Sequence, residues 1–403
     1  MISKNPPTRP SSTILSLSVL TLLITGGILY AGPLTPPAGP VASTTKTLGE
    51  VEPRIAVNAV NTPSDGNCLF KITQPGSYYL TSNINGVAGK HGVIIAAEGV
   101  TLDLGGFEMA GLPDMGGFDG VMCSTPNKSN ITVLNGSLRN WGRDGINLGD
   151  FEVSGCRVEG VHARGNARAG IYVGNTSQVS HCSGSGGEYG ILTRKGSTVS
   201  ECSATAASLA GIYVETGSTV NQCAATSCVG FGITALDGSS VVDCTSHSNN
   251  GFGVKVDRGG LISNCSANLN TNDGIQASTG STVSNCIARS NGRHGILGSS
   301  ACVIRGNTCT TNGTIQSTGA GIRAQGNDNR IEENHCNWSD IGINVEGSRN
   351  LIFRNTCAAN TINWEISTSN ICFVVFANLA PPISGSFGGT APGSTDPNAN
   401  FSY

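Results

Sequence analysis

The chain has 403 residues, 56 of them glycine, and only 12% are charged. Glycine is about twice its usual share and charge about half. The net charge of −3 offers no basic surface for nucleic acid. A surface rich in Gly, Ser, Thr and Asn disfavours a helical protein.

Lys4 and Arg9 precede a largely apolar run, Ile14 to Tyr30, followed by "AGPLTPPAGP". This predicts an export signal over residues 1–31, although Leu29 fits poorly at the −3 position of the cut. The alternative is a retained anchor at the short limit for a membrane span. Either way the rest of the chain is expected to be secreted or at the cell surface or periplasm, with no membrane contact after cleavage. Residues 32–63 are Pro-rich without hydrophobic period and read as a linker. "GSYYLTSNI", "GVIIAAEGVTLDLGGFEM" and "NITVLNGSL" alternate with period two and read as strands, the first two within an N-terminal cap over 64–118.

Repeats occupy 119–366. The marker is Gly followed by Ile or Val, at Gly145, Gly170, Gly190, Gly211, Gly232, Gly253, Gly274, Gly295, Gly321 and Gly342. From Gly190 to Gly295 each step is 21 residues, and "INWEIS" keeps the register after Gly342. In "GIYVETG", Ile212 and Val214 fall on one face and Tyr213 and Glu215 on the other. Strands this short bury a face only by coiling, each turn stacked on the last at about 4.8 Å. The expectation is an all-β parallel β-helix of about 21 residues per coil and about twelve coils. Residues 367–403 are a cap for the last coil or a tail.

Cys156, Cys182, Cys202, Cys223, Cys244, Cys265, Cys286, Cys309, Cys336 and Cys357 recur once per unit and read as one inward column. A column along a rod does not converge as metal ligands must, so no metal site is expected there. Residues stacked about 4.8 Å apart also exceed the ~3.8 Å between disulfide Cβ atoms. A reduced packing ladder is expected. Cys68, Cys123, Cys228, Cys302 and Cys372 lie outside it, with one disulfide among them left open.

The GIxV unit and the lead-in "GVTLDLGGFEM" resemble the right-handed parallel β-helix superfamily of pectate-lyase-like proteins, most of all its branch with the carbohydrate-binding and sugar hydrolysis repeat. The likeness covers about Gly76 to Ile366. It implies a fold shared by polysaccharide lyases, hydrolases, epimerases, tailspikes and adhesins, and no single activity. "RDGI" (Arg143 to Ile146) and "GRHGI" (Gly292 to Ile296) resemble polygalacturonase fragments, but that family's paired-Asp motifs are absent, so no role is carried over.

The outward residues of the GIxV strands form one patch: Tyr172, Arg194, Lys195, Tyr213, Glu215, Asp237, Lys255, Asp257 and Arg258. Tyrosines offer a sugar an apolar face and a hydroxyl, and Arg and Lys suit acidic sugars. Tyr172, Arg194, Tyr213 and Lys255 are therefore the binding candidates. Glu215, Asp257 and Arg258 are the catalytic candidates, the carboxylates two coils and about 9.6 Å apart. That spacing excludes a retaining glycosidase pair and is marginal for an inverting one. Two readings follow. One is an exported scaffold that binds a polysaccharide without turnover and needs no cofactor. The other is a lyase or hydrolase on a uronic-acid polymer. A lyase would use Ca²⁺, held by Glu215, Asp237 and Asp257 if a turn brings Asp237 inward. The number of subunits is left open.

Overall fold

The structure, a computed structural model, describes residues 53–112, 115–315, 319–372, 374–376 and 397–402. The expected signal lies outside these residues. All regular structure described is β. A 14-stranded parallel sheet stacks one strand per coil, from Cys68–Ile72 through Ala210–Val214 to Ile362–Ile366. A 28-stranded sheet supplies two further ladders, as in Thr198–Ser200 and Ser203–Thr205 of one coil. Fourteen coils at the strand spacing make a stack about 60 Å long.

The stack is longer than the expected twelve coils because three coils lie before Gly145. Two carry the same marker at wider spacing, Gly92-Val93 and Gly120-Val121, and Val93 pairs with Val121, which pairs with Ile146. The expected linker also ends early. Ile55 and Ala56 pair with Tyr78 and Tyr79, and Val57 is buried, so the first ladder begins before Pro63. At the other end, Thr356 and Cys357 pair with Phe401 and Ser402, so this part of the C-terminal segment adds a strand.

The marker has a steric origin. A Cβ on Gly145 would lie 2.6 Å from the carbonyl oxygen of Gly170 one coil on, closer than atoms approach. The Ile or Val that follows turns inward: Ile146, Ile171, Ile191, Ile212, Ile233, Val254 and Ile275 are all fully buried. A second inward column, Val158, Val179, Val199, Val220 and Val241, packs against it from the next face. Full burial of each such side chain contributes roughly 1.5–3 kcal/mol.

Each coil bends at three corners. At a corner one residue adopts left-handed φ, such as Gly217 (φ 69°), Gln222 (φ 52°) and Ser227 (φ 54°). The next residue turns its side chain inward and accepts the backbone N–H of its counterpart in the preceding coil. Ser197, Ser218 and Ser239 do this at the first corner, with N–H to Oγ distances of 3.1–3.2 Å. Asn249, Asn270, Asn291 and Asn312 do it at the third, their Nδ2 atoms donating along the column. These corner polar groups are buried but satisfied, which is the condition for burying them at all.

The cysteines obey this corner rule, and the single column splits. Cys182, Cys202, Cys223, Cys244, Cys265 and Cys286 hold the second corner. Cys182 N–H donates to Cys202 Sγ and Cys265 N–H to Cys286 Sγ, both at 3.4 Å. Below Cys286 the corner passes to Asn307, Asn334, Asn355 and Asn400. Cys156 belongs to the first corner, where its N–H donates to Ser177 Oγ at 3.1 Å. Cys309, Cys336 and Cys357 stack under Ala288 inside a strand, two residues past the corner. Cys228 and Cys302 sit at the third and first corners, donating to Asn249 and Asn329. All 15 cysteines are free thiols.

Candidate functional site

The 14-stranded sheet turns every second side chain outward, and its register stacks Tyr172, Leu192, Tyr213, Thr234, Lys255 and Gln276 in successive coils. The predicted patch lies on this face, but its members are not equivalent. Tyr172 is only 6% exposed. It is boxed between guanidinium groups, with Arg168 4.7 Å and Arg194 5.8 Å from its ring centroid. Arg194 Nε donates to its hydroxyl at 2.8 Å. Burial raises the phenol's pKa. Tyr172 thus holds Arg194 in place and offers little surface of its own.

Arg194 is half-buried, and no carboxylate among the described residues lies within 4.0 Å of it. On the same sheet Tyr189 and Tyr213 meet edge to face, ring centroids 5.6 Å apart. A guanidinium outside any ion pair and a half-exposed aromatic pair on one sheet suit a chain of rings carrying carboxylates.

The catalytic candidates are less well placed. Asp257 is engaged by Lys255 at 3.4 Å. Asp237 is exposed, its Oδ1 accepting the backbone N–H of Arg258 at 3.0 Å, and is not drawn in between Glu215 and Asp257. Arg258 and Lys195 are exposed. Among the described residues no three His, Cys, Asp or Glu side chains converge to hold a metal ion.

Two buried polar clusters, not anticipated from sequence, edge the same sheet. Both are built on the residue before the marker glycine, whose side chain caps the N–H of its counterpart one coil on. In the first, Asp119 Oδ1 accepts from Asp144 N and Asp144 Oδ1 from Ala169 N, both at 3.0 Å. An arginine then closes on each aspartate. Arg143 reaches Asp119 at 2.9 and 2.6 Å, and Arg168 grips Asp144 through Nε and Nη2. Both aspartates are fully buried beneath the arginines, which are themselves 31% and 30% exposed, so these pairs brace the coils.

In the second cluster Asp273 Oδ1 accepts from His294 N at 3.0 Å, and His294 Nδ1 accepts from Ala320 N at 2.9 Å. Arg323 lies between His294 Nε2 at 2.9 Å and Glu346 at 2.7 Å. Burial, with Arg323 and Arg293 nearby, pushes His294 down to about 4, so the ring is neutral at ordinary pH. Burial raises Asp273. The sequence signals were the "DG" pairs Asp119-Gly120, Asp144-Gly145 and Asp273-Gly274, together with "RDGI" and "GRHGI". A cleft of about 570 Å³ lies at another corner, lined by Leu112, Trp141, Gly165 and Ala167, away from the predicted patch.

A family model described as a right handed beta helix region matches residues 119–260. No curated protein matches the sequence. Among solved structures, the A-module of the Azotobacter vinelandii mannuronan C-5 epimerase AlgE4 is similar, with 16% identity and a TM-score of 0.50 over 74% of this chain and 91% of that one. The A-module of AlgE6 from the same organism has 13% identity and a TM-score of 0.44, covering 82% and 91%. The tailspike protein of Dettilon has 14% identity and a TM-score of 0.40, covering 67% and 57%. At these identities the likeness is one of fold.

Proposed function

Because this chain belongs to the right-handed parallel β-helix superfamily, with one sheet turned outward as a continuous ladder, we propose that it is an exported protein that binds an acidic polysaccharide along that face without turning it over. The observation that carries the reading is Arg194. Arg168 and Arg143, one and two coils earlier, are each closed on a buried aspartate, whereas Arg194 is held by Tyr172 and forms no ion pair, with Glu215 and Asp150 acting on it only at longer range. A uronate carboxylate completes that arginine while its ring lies on Tyr189 and Tyr213. Successive coils then meet successive sugars. The fold's likeness to a mannuronan C-5 epimerase module is in keeping with a polysaccharide partner. Binding without turnover is favoured because the acids on this face are either locked by arginine, engaged by Lys255, or alone.

Affinity electrophoresis through gels containing polygalacturonate, alginate or a neutral glucan tests this. The expected result is strong retardation by both uronate polymers and far less by the glucan, with no reducing ends or unsaturated products formed, with or without Ca²⁺. Equal mobility in all gels contradicts the acidic-polymer reading. Turnover that disappears in Glu215→Gln or Asp257→Asn would replace binding by lyase or hydrolase action.

A further inference from the structure

The Asp273–His294 cluster holds four buried polar atoms that no protein group satisfies. Asp273 Oδ2 and Gln276 Oε1 are acceptors, and Arg293 Nε and Arg323 Nε are donors. Folded proteins leave few such atoms unpaired, and each needs an explanation. The first cluster supplies the contrast. Arg143 and Arg293 occupy the same place in their coils, directly before the capping residue. Arg143 closes on Asp119 at 2.6 Å, while Arg293 Nη1 stands 4.0 Å from Asp273 Oδ2. That gap is too long for a hydrogen bond and suits one bridging oxygen.

The ligand's chemistry follows from the count. Charge is already balanced, since Arg323 is paired with Glu346 and Arg293 stands over Asp273. A further anion would unbalance it. Two acceptors and two donors are satisfied together by two hydroxyl groups, each donating once and accepting once. Neighbouring hydroxyls on a sugar ring provide such a pair.

We propose that Asp273, Gln276, Arg293 and Arg323 form a subsite that binds the vicinal diol of a sugar ring on the outer face of the 14-stranded sheet. This rests on the reading that the face takes a polysaccharide, and it names the group gripped four to six coils from Arg194. Both elements that frame the subsite are fixed. Asp273 and His294 are tied to the backbone of the following coil, and Gln276 stacks with Leu297 and Arg323 in register. His294 is a built-in reporter: its neutral ring has one acceptor nitrogen for two donors, Ala320 N–H at Nδ1 and Arg323 Nη1 at Nε2, so its tautomer responds to what binds beside it.

The experiment is a titration of the ¹⁵N-labelled full chain, observing the His294 imidazole, one of six and assigned with His294→Asn. The probes are the methyl glycosides of mannose, galactose and glucose, their 2-deoxy and 3-deoxy analogues, and sodium sulfate. At least one intact glycoside is expected to shift the resonance saturably. Affinity should fall at least tenfold for its deoxy analogue, and for Gln276→Leu, whose melting temperature should match the parent. Asp273→Asn keeps the backbone cap and replaces the acceptor by an amide, and should lose binding likewise. A response to sulfate but not to sugars means an anion site and overturns the proposal. Silence with every probe means the four atoms hold only water and overturns it too, as does wild-type affinity in Gln276→Leu. If the glycosides are silent while uronate gels still retard the protein, only the subsite fails. If they bind while no gel retards it, the acidic-polymer reading fails instead.

Discussion

Cys286 is the last thiol at the second corner, and it sits directly on an asparagine. Its Sγ accepts Cys265 N–H at 3.4 Å and donates to Ser284 O at 3.2 Å. Its own N–H donates to Asn307 Oδ1 at 2.9 Å. Cys286→Ala removes the sulfur and leaves a buried N–H without an acceptor. The lost bond and the small void together cost about 2–3 kcal/mol. Cys286→Asn extends the asparagine column upward by one coil. Its Oδ1 takes the Cys265 N–H, and its Nδ2 reaches Ile262 O and Asn307 Oδ1, as Asn307 Nδ2 reaches Val283 O at 3.1 Å and Asn334 Oδ1 at 2.9 Å. With every polar atom satisfied, the asparagine variant should lie within about 1 kcal/mol of the parent and at least about 1 kcal/mol above the alanine variant. Guanidinium unfolding followed by circular dichroism, with unchanged slope, measures both. An asparagine variant less stable than the alanine one refutes the corner register, because under a Cys286-on-Cys309 stacking the amide would be buried among groups that cannot bond it.

Asn291→Leu at the third corner should be far worse than any cysteine change. It takes the acceptor from Asn270 N and the side-chain donor from Ala267 O, and leaves Asn270 Nδ2 and Asn312 Oδ1 with one bond each, a loss of about 3–5 kcal/mol after partial relaxation, read from the same unfolding curves. In native protein iodoacetamide should modify only Cys372 at an appreciable rate, because it alone is half-buried and the others are buried thiols. Mass spectrometry should count all 15 after unfolding. Burial pushes Cys156 up to about 12 and Cys372 up to about 11, which slows both further. His294 has a folded pKa of about 4 against an unfolded value near 6.5. The unfolded chain therefore binds the extra proton between these values, and stability falls as pH drops from ~6.5 towards ~4. His294→Asn should flatten that part of a melting-temperature profile; an unchanged slope would place the acid sensitivity elsewhere.

Much of the fold was legible because one steric fact repeats. Only glycine passes where backbones approach as at Gly145 and Gly170, so the marker survives in every unit from Gly145 to Gly342. The first coils were missed because Gly92 and Gly120 carry the marker at steps of 28 and 25, where long turns hide the period. The cysteine error has a similar cause. Cys309 lies 23 residues after Cys286, and Asn307 lies 21. The two-residue slip moves the thiol from a corner into a strand, and a column defined by residue type does not register it. On the outward face, Tyr213 and Arg194 lie where period two puts them. Tyr172 was overvalued, since alternation says which way a ring points but not that two arginines cover it. The aspartate–arginine pairs span 24 residues in the first cluster and 20 in the second, and only the stacked coils bring them together.

The central claim is that the outward face around Arg194 grips a uronate carboxylate. Isothermal titration with a defined oligouronate, comparing the parent with Arg194→Gln at low and moderate salt, addresses it most directly. Exposed charge pairing predicts parent binding that weakens as salt rises. It also predicts at least tenfold loss in Arg194→Gln with no change in melting temperature beyond a degree or two, the glutamine still reaching the Tyr172 hydroxyl. Equal affinity of the parent and Arg194→Gln would contradict the account.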